Sequence, residues 1–168
     1  MKEFHTIAAE ELTQNPFHMI GKQWMLITAK KGDKVNTMTA SWGGVGFLWN
    51  KPVAFMFIRP TRYTYGFVED AETLSLNFLP EAYRKELNYC GTVSGRDEDK
   101  IKKCGFHTAE ESGTPYFEES DTVFLCKKQY GQMLVPEGFC DAAFDQKMYA
   151  DKNYHKLYIV EIEKVLSK

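Results

Sequence analysis

The apolar positions along this chain fall into short clusters rather than long helical stripes. Trp24 to Ala29 is an apolar run with little alternation, and Val35 to Ser41 follows it across Lys30-Lys31-Gly32-Asp33-Lys34, a charged, glycine-bearing turn. The pair predicts a β-hairpin with both faces covered. Gly43, Gly44 and Gly46 then break the pattern, and Pro52 to Ile58 resumes it as a third strand, nearly continuous in apolar residues and so predicted to be buried on both faces. Pro60 ends that strand, and Thr61 is placed to cap a short helix through Asp70, on which Tyr63 and Phe67 share a face.

Glu72 to Leu79 alternates at Leu74, Leu76 and Phe78 and predicts a strand. Beyond Pro80 a helix is expected from Glu81 to Cys90, stopping at Gly91. Ser94-Gly95-Arg96-Asp97 reads as a loop and cap before a helix over Glu98 to Lys103, with Gly105 as its stop. Residues 107–121 are acidic and turn-rich and predict a solvated loop. Thr122 to Leu134 carries enough β-formers for one long strand, or two joined at Gly131. Between Gly138 and Lys152 only the Phe144 and Met148 pair suggests a helical turn, whereas Tyr158, Val160 and Ile162 alternate as a final strand. At the start, residues 1–15 predict a short helical arm that Asn15-Pro16 ends, suited to docking on a partner subunit. Six or seven strands against three or four short helices predict a β-rich fold, an antiparallel barrel with helical insertions.

Composition narrows the function classes. A length of 168 residues with 43% hydrophobic content predicts one domain, residues 1–168, with a substantial core. A net charge of -2 offers no general attraction to nucleic acid or an anionic membrane. With no transmembrane-length run and no secretory pattern after Met1, a cytoplasmic protein is expected. Cys90, Cys104, Cys126 and Cys140 are too widely spaced for a C-x-x-C pair or a zinc knuckle and read as reduced thiols, and no metal site is expected. Gly44-Val45-Gly46 has Trp49 where a dinucleotide loop needs its third glycine, and neither a phosphate-loop motif nor a Gly-x-Ser-x-Gly elbow occurs.

The candidate chemistry lies in residues 35–64. Two strands deliver Asn36, Thr37, Thr39 and Ser41 and the planar cations Arg59 and Arg62 to one end, an outline suited to a flat, hydrogen-bonding ligand with a phosphate. A helix starting near Thr61 would turn its free amides toward the same anion. The alternative is that both arginines pair with the nearby Glu69 and Asp70. Trp42 and Trp49 suit core or interface packing, with ring stacking as the alternative for Trp42. Asn77 suits a satisfied buried amide and Lys100 a solvated helix charge.

The run Asn36-Thr37-Met38-Thr39-Ala40-Ser41-Trp42-Gly43-Gly44, then Trp49-x-Lys51-Pro52-Val53, then Ile58-Arg59-Pro60-x-Arg62-Tyr63-Thr64, resembles the flavin reductase-like family of FMN-binding split barrels, in its flavoredoxin branch. Ser75-Leu76-Asn77-Phe78-Leu79 and Gly91-Thr92-Val93-Ser94-Gly95-Arg96-Asp97-x-Asp99-Lys100 follow in the family's order. The resemblance implies a Greek-key split barrel and a homodimer with the flavin at the subunit interface. It further implies a cofactor site of Asn36, Met38, Thr39, Ala40, Ser41, Trp42, Arg59, Arg62, Tyr63, Thr64, Asn77 and Lys100. FMN is the implied cofactor ahead of FAD, and NAD(P)H or a reduced carrier the implied electron donor, with free flavin, ferric complexes or another redox protein as acceptor. Related two-component reductases carry a Gly-Asp-His motif at the nicotinamide site. Here Asn153-Tyr154-His155 keeps only the histidine, which makes His155 a candidate and leaves open a carrier that does not turn over a nicotinamide, or a noncatalytic flavin binder.

Overall fold

The computed structural model describes residues 3–168. After β1 (His5–Ile7) and a 3₁₀ turn at Ala9–Glu11, α1 (Pro16–His18) opens on Asn15, whose side-chain oxygen accepts from the Phe17 amide at 2.9 Å, and runs on into a π-helical turn over Met19–Gln23. The strands β2 (Met25–Lys31) and β3 (Lys34–Ala40) form the expected hairpin, turning on Gly32 in the left-handed region at φ 58°. A second hairpin joins β4 (Gly43–Leu48) to β5 (Lys51–Ile58) through Trp49 and Asn50, both at positive φ as a primed turn requires. Then come α2 (Tyr63–Asp70), β6 (Thr73–Phe78), a 3₁₀ turn at Glu81–Tyr83 leading into α3 (Arg84–Thr92), and α4 (Lys100–Cys104), which ends on left-handed Gly105. The hairpin β7 (Thr108–Glu111) and β8 (Thr114–Phe117), the long β9 (Thr122–Met133), α5 (Ala142–Met148) and β10 (Lys156–Ser167) complete the chain.

All pairings are antiparallel, and the main sheet runs β3-β2-β6-β9-β10-β5-β4 with β1 added beside β10. Thus β3 and β4 stand at opposite ends of the sheet, yet only Ser41 and Trp42 separate them in the chain. Three peptide steps reach at most about 11 Å, so the sheet must curl until its ends meet without pairing. The bend is helped by register shifts in β10 between Ile159 and Val160 and between Ile162 and Lys164. β10 also changes partner along its length, pairing β5 over Lys156–Glu161 and β1 over Val165–Ser167.

Met25, Ile27, Met38, Met56, Ile58, Leu76, Phe78, Phe124, Tyr158 and Val160 fill the barrel. On the other face of the sheet Leu26 joins Leu79, Leu87, Cys90, Phe106 and Phe117 beneath α3 and α4. That explains why β2 shows no alternation: each face has its own core. Both packed layers exclude water, which is the chief stabilising term for a fold of this kind.

Several expectations are corrected. The glycines at 43, 44 and 46 form strand β4 rather than a break: all three pair with β5, and Gly43, at φ 152°, stands where a Cβ would collide with the Phe55 carbonyl oxygen. Residues 107–121 hold the β7–β8 hairpin rather than a solvated loop; Phe117 is fully buried, and Glu110 pairs with Lys30 at 2.7 Å and Glu119 with His107 at 2.6 Å. The N-terminal arm, apart from Met1 and Lys2, which lie outside the described residues, is a strand and a 3₁₀ turn instead of a helix, since His5–Ile7 covers the free end of β10. Helix α3 passes through Gly91 and ends at Thr92; that glycine serves close approach, its missing Cβ lying 3.4 Å from the Thr39 Cβ. Thr61 does not cap α2, whose N-cap position is Arg62. With these, the described residues hold ten strands instead of six or seven. Among the described residues no helix is long and apolar enough to cross a membrane.

Asn77, at the centre of β6, is wholly buried and bonds in every direction. Its amide nitrogen donates to the Leu26 carbonyl, the Thr28 hydroxyl and the Ser75 hydroxyl at 3.2, 3.1 and 2.8 Å, and its oxygen accepts from the Phe117 amide at 2.9 Å. It fastens the β7–β8 hairpin to the sheet. Asn77→Ala leaves the buried Phe117 amide without its acceptor and removes the donor to Leu26, Thr28 and Ser75, and the expected loss is about 3 kcal/mol in urea unfolding with an unchanged slope.

Candidate functional site

The place where the sheet ends meet contains a cavity of about 420 Å³. Three separate stretches wall it: Met38, Thr39, Ala40, Ser41 and Trp42 from the β3 end; Phe57, Arg59, Thr61 and Arg62 from the β5 end and the bend after it; and Asn153 and His155 before β10. Because β3 is terminal, half its peptide groups point away from β2 and find no strand partner. Thr39 is fixed from behind, its hydroxyl donating to the Leu87 carbonyl at 2.5 Å. Asn153 closes the other side by donating its amide to the Thr61 hydroxyl at 3.0 Å. Trp42, though aromatic and central to this wall, remains 45% exposed.

Charge distribution sets this region apart. Glu69 and Asp70, the carboxylates nearest the arginines in sequence, are engaged elsewhere: Glu69 accepts from Lys156 at 2.8 Å and Tyr158 at 2.5 Å, and Asp70 pairs with Lys31 at 2.6 Å. Arg59 has only the exposed Asp151 at 3.5 Å and lies 5.6 Å from the Tyr149 ring centre. Among the described residues no carboxylate pairs with Arg62, and burial pulls its pKa below the usual guanidinium value. Lys100 is only 3% exposed and donates to the Cys90 carbonyl at 2.9 Å. Burial foremost, then the Arg62 charge, pull its pKa down to about 8.

The remaining predicted site residues take other positions. Asn36 and Thr64 are buried and bonded to each other, the Asn36 amide donating to the Thr64 hydroxyl at 2.8 Å, which ties β3 to the first turn of α2 and so sets the bend carrying Arg62. Gly95 lies so close to Asn36 and Tyr63 that a side chain there would displace both. Tyr63 lines an adjoining cleft of about 440 Å³ that shares Arg62, with Lys34 and Arg96 at 5.3 and 5.1 Å from its ring centre. Lys100 and Asn36 line a further cleft with Gly95, and Asn77 stays in the core, away from the cavity. Phe57, Thr61 and Asn153 belong to the wall without having been singled out. Their one signal is position: Phe57 and Thr61 flank Arg59, and Asn153 stands two residues before His155.

Residues 17–166 match the family profile described as the flavin reductase like domain. The chain belongs to the flavin reductase-like domain family. Solved structures share its fold. A flavoredoxin from Methanosarcina acetivorans is 21% identical with a TM-score of 0.68, covering 87% of this chain and 68% of its own. An FMN-binding domain of a flavin reductases-like enzyme from Shewanella baltica is 16% identical with a TM-score of 0.71, covering 98% and 77%. A split-barrel-domain protein from Shewanella frigidimarina is 19% identical with a TM-score of 0.68, covering 91% and 72%. A search among curated proteins matches none. The curled antiparallel sheet, open between β3 and β4, is the split barrel of the flavin reductase-like family.

The buried Lys100 in this flavin reductase-like chain gives a test of the charge distribution. An unfolded lysine titrates near about 10.4, while the folded one releases its proton near 8. Between those values the unfolded chain binds more protons, so stability rises with pH across that window. From about pH 7.5 to about pH 10, wild type should gain roughly 2 kcal/mol over Lys100→Met. Urea unfolding of both proteins across the range measures the difference, and parallel curves would contradict it.

Proposed function

We propose that the cavity binds FMN and that the protein is an FMN-dependent oxidoreductase. The observation that carries this reading is Arg62, a partly buried guanidinium on the wall with no carboxylate partner among the described residues. An anion such as a phosphate satisfies it. The rest of the wall suits the rest of that molecule: the unpaired edge of β3 at Met38 to Ala40 offers peptide donors and acceptors to a flat polar ring, and Trp42 offers an aromatic face. Thr39 and Ser41 add hydroxyls, while Asn36, Thr64 and Gly95 hold the bend in place from behind.

Bound flavin supplies the electron transfer, and the chain's part is to bind, orient and shield. Arg62 and Arg59 hold the anionic end, the β3 edge fixes the ring by hydrogen bonds, and Asn153 with Thr61 closes the side. The electron donor in this reading is NAD(P)H, with a flavin, ferric complex or redox protein as acceptor. A second reading, a flavoredoxin-like carrier reduced by another protein, is favoured by one feature: Asn153, two residues before His155, is committed to Thr61 rather than left free for a reactant.

Two hydrophobic surfaces bear on assembly. Phe17, Phe47 and Trp49 are 87%, 67% and 56% exposed on or beside the terminal strand β4. A groove lined by Phe17, Ile20 and Gly44 shares Ser41 and Trp42 with the cavity. A second copy seated there would complete the wall over the flavin, making the working form a homodimer. Sedimentation equilibrium should return a dimer for wild type, and Phe47→Asp should shift it to monomer with weaker FMN binding. A wild-type monomer that binds FMN fully would overturn the dimer.

Arg62→Ala removes a charge-assisted bond of about 1.5 to 3 kcal/mol, so FMN should weaken by roughly tenfold to over a hundredfold. Riboflavin, which has no phosphate, should bind almost unchanged; calorimetry with both ligands decides, and equal losses would assign Arg62 to the fold. The absorption spectrum of freshly purified protein, followed by mixing with NADH and NADPH, separates the two readings: rapid bleaching marks a reductase, and reversible chemical reduction without bleaching marks a carrier.

A further inference from the structure

The four cysteines differ in their surroundings. Cys140 is exposed, and Cys126 is buried with its thiol against the Phe124 carbonyl at 3.6 Å. Cys90 and Cys104, though 14 residues apart in the chain, bring their sulfurs to 3.8 Å. Cys90 lies in the last turn of α3 and is fully buried, whereas Cys104 ends α4 and keeps some exposure. One thiol is therefore reachable from solvent and the other sits directly behind it.

The two helices that meet at this pair are not equally firm. α3 is pressed against β3: the Leu87 carbonyl accepts from the Thr39 hydroxyl, and Gly91, next to Cys90, stands where a Cβ would lie 3.4 Å from the Thr39 Cβ. α4 is little more than one turn, too short to persist alone. It is held by the Asp99 carboxylate on the Lys102 amide at 3.1 Å, by Lys100 donating to the Cys90 carbonyl at 2.9 Å, and by Ile101 and Cys104 packed on the second core. Cys90 thus belongs to the fixed element and Cys104 to the looser one. To bond, the sulfurs have only to close from contact to about 2.05 Å, and α4 is the element free to move.

We propose that Cys90 and Cys104 form a modification site, a dithiol that a small two-electron oxidant of the peroxide class converts reversibly to a disulfide, tying α4 to the helix that backs the β3 wall. The Cys104 thiolate attacks one peroxide oxygen; an S–O bond forms, the O–O bond breaks, and hydroxide leaves to take up the thiol's proton as water, giving a sulfenic acid. Cys90 then attacks that sulfur. The S–S bond forms, the S–O bond breaks, and the departing hydroxide takes the Cys90 proton as a second water. Two electrons pass from the pair of sulfurs to one peroxide, and an added thiol reverses the bond by exchange. Burial foremost keeps both thiols protonated near neutral pH, pushing Cys90 up to about 12 and Cys104 upward; the Glu86 carboxylate on α3 adds to this and the Lys100 ammonium on α4 opposes it. The first step is accordingly slow at neutral pH and quickens as pH rises. Nothing in it requires a flavin.

Cys140→Ser, which removes the exposed thiol and with it cross-linking between copies, is the protein to test. It is treated while folded with hydrogen peroxide at about pH 8.5, where more thiolate forms, then alkylated in denaturant and digested with trypsin. Four cysteines less one leave three thiols before treatment. Afterwards only Cys126 should be alkylated, and the peptide of residues 86–96 should be joined to that of residues 104–127 through Cys104, as fragment masses assign. Dithiothreitol should restore all three thiols. Hydrogen exchange of the α4 amides should be about tenfold slower in the linked form, because the bond restricts the opened state. Three free thiols after treatment, a sulfinic Cys104 beside a free Cys90, a link to Cys126, or α4 exchange unchanged by the bond would each overturn the proposal. If Cys140→Ser fails to fold, wild type with Cys140 blocked by iodoacetamide takes its place and the same outcomes decide.

Discussion

The structure depends on a covalent constraint: two residues, Ser41 and Trp42, join strands that lie at opposite ends of the sheet. The sheet has no choice but to curl, and because β3 and β4 do not pair, the curl leaves an open seam. A fully closed barrel would consume the β3 peptide edge in hydrogen bonds. Here that edge stays available, and the linker places an aromatic ring beside it. The cavity is thus a consequence of how the barrel fails to close, and its walls come from stretches distant in sequence because the seam is where they converge.

Electrostatics give the seam its second property. Elsewhere several lysines of this chain are matched: Lys31 with Asp70, Lys51 with Glu161, Lys127 with Glu72. Such exposed pairs contribute about 0 to 1 kcal/mol each and keep the surface nearly neutral. Around the bend the balance shifts: Glu69 is held by Lys156 and Tyr158, Arg62 has no carboxylate partner among the described residues, and the buried Lys100 has only the Cys90 carbonyl. A charge taken from water without a partner lowers stability. Hydrophobic burial in two layers tolerates that loss, and an anion arriving at the bend recovers it.

The sequence showed some of this and concealed the rest for identifiable reasons. The β2–β3 and β5 strands were readable because apolar runs bounded by turn residues admit few alternatives. Strand β4 was not, since its glycines look like a break until the Phe55 backbone is seen to press against Gly43. The β7–β8 hairpin was hidden by its acids, which turn out to have partners in distant segments. Among site candidates, the run from Met38 to Trp42 and the two arginines could be named from the chain and lie together on the wall. Asn36 and Asn77 show the limit: a polar side chain on a strand reads alike whether it faces a ligand or its own core, and only register tells them apart. Tyr149 was beyond reach, for nothing in the pattern from Gly138 to Lys152 predicts that one hydroxyl meets the ring of His155.

The same geometry divides the cavity wall into a firm part and a lightly fastened one. β3 and β5 are held by sheet pairing and the barrel core. The stretch between β9 and β10 instead attaches near the cavity through single contacts: the Leu134 amide to the His155 carbonyl at 2.9 Å, Asn153 to Thr61 at 3.0 Å, Tyr149 to His155 at 2.8 Å, and Arg59 to Asp151 at 3.5 Å. Phe144, at 53% exposure, marks how little of its surface the barrel covers. Tyr149 and Tyr154 bury each other within this segment, so what opens at low free energy is its fastening to the barrel and not its own packing. Since its fastenings lie on or against the wall, any ligand that bridges Arg59 or Arg62 to this side adds to them, so occupancy of the cavity and order in the segment favour each other by mass action. The barrel holds one half of the wall firmly, and a ligand bridging to the other half would add to its fastenings.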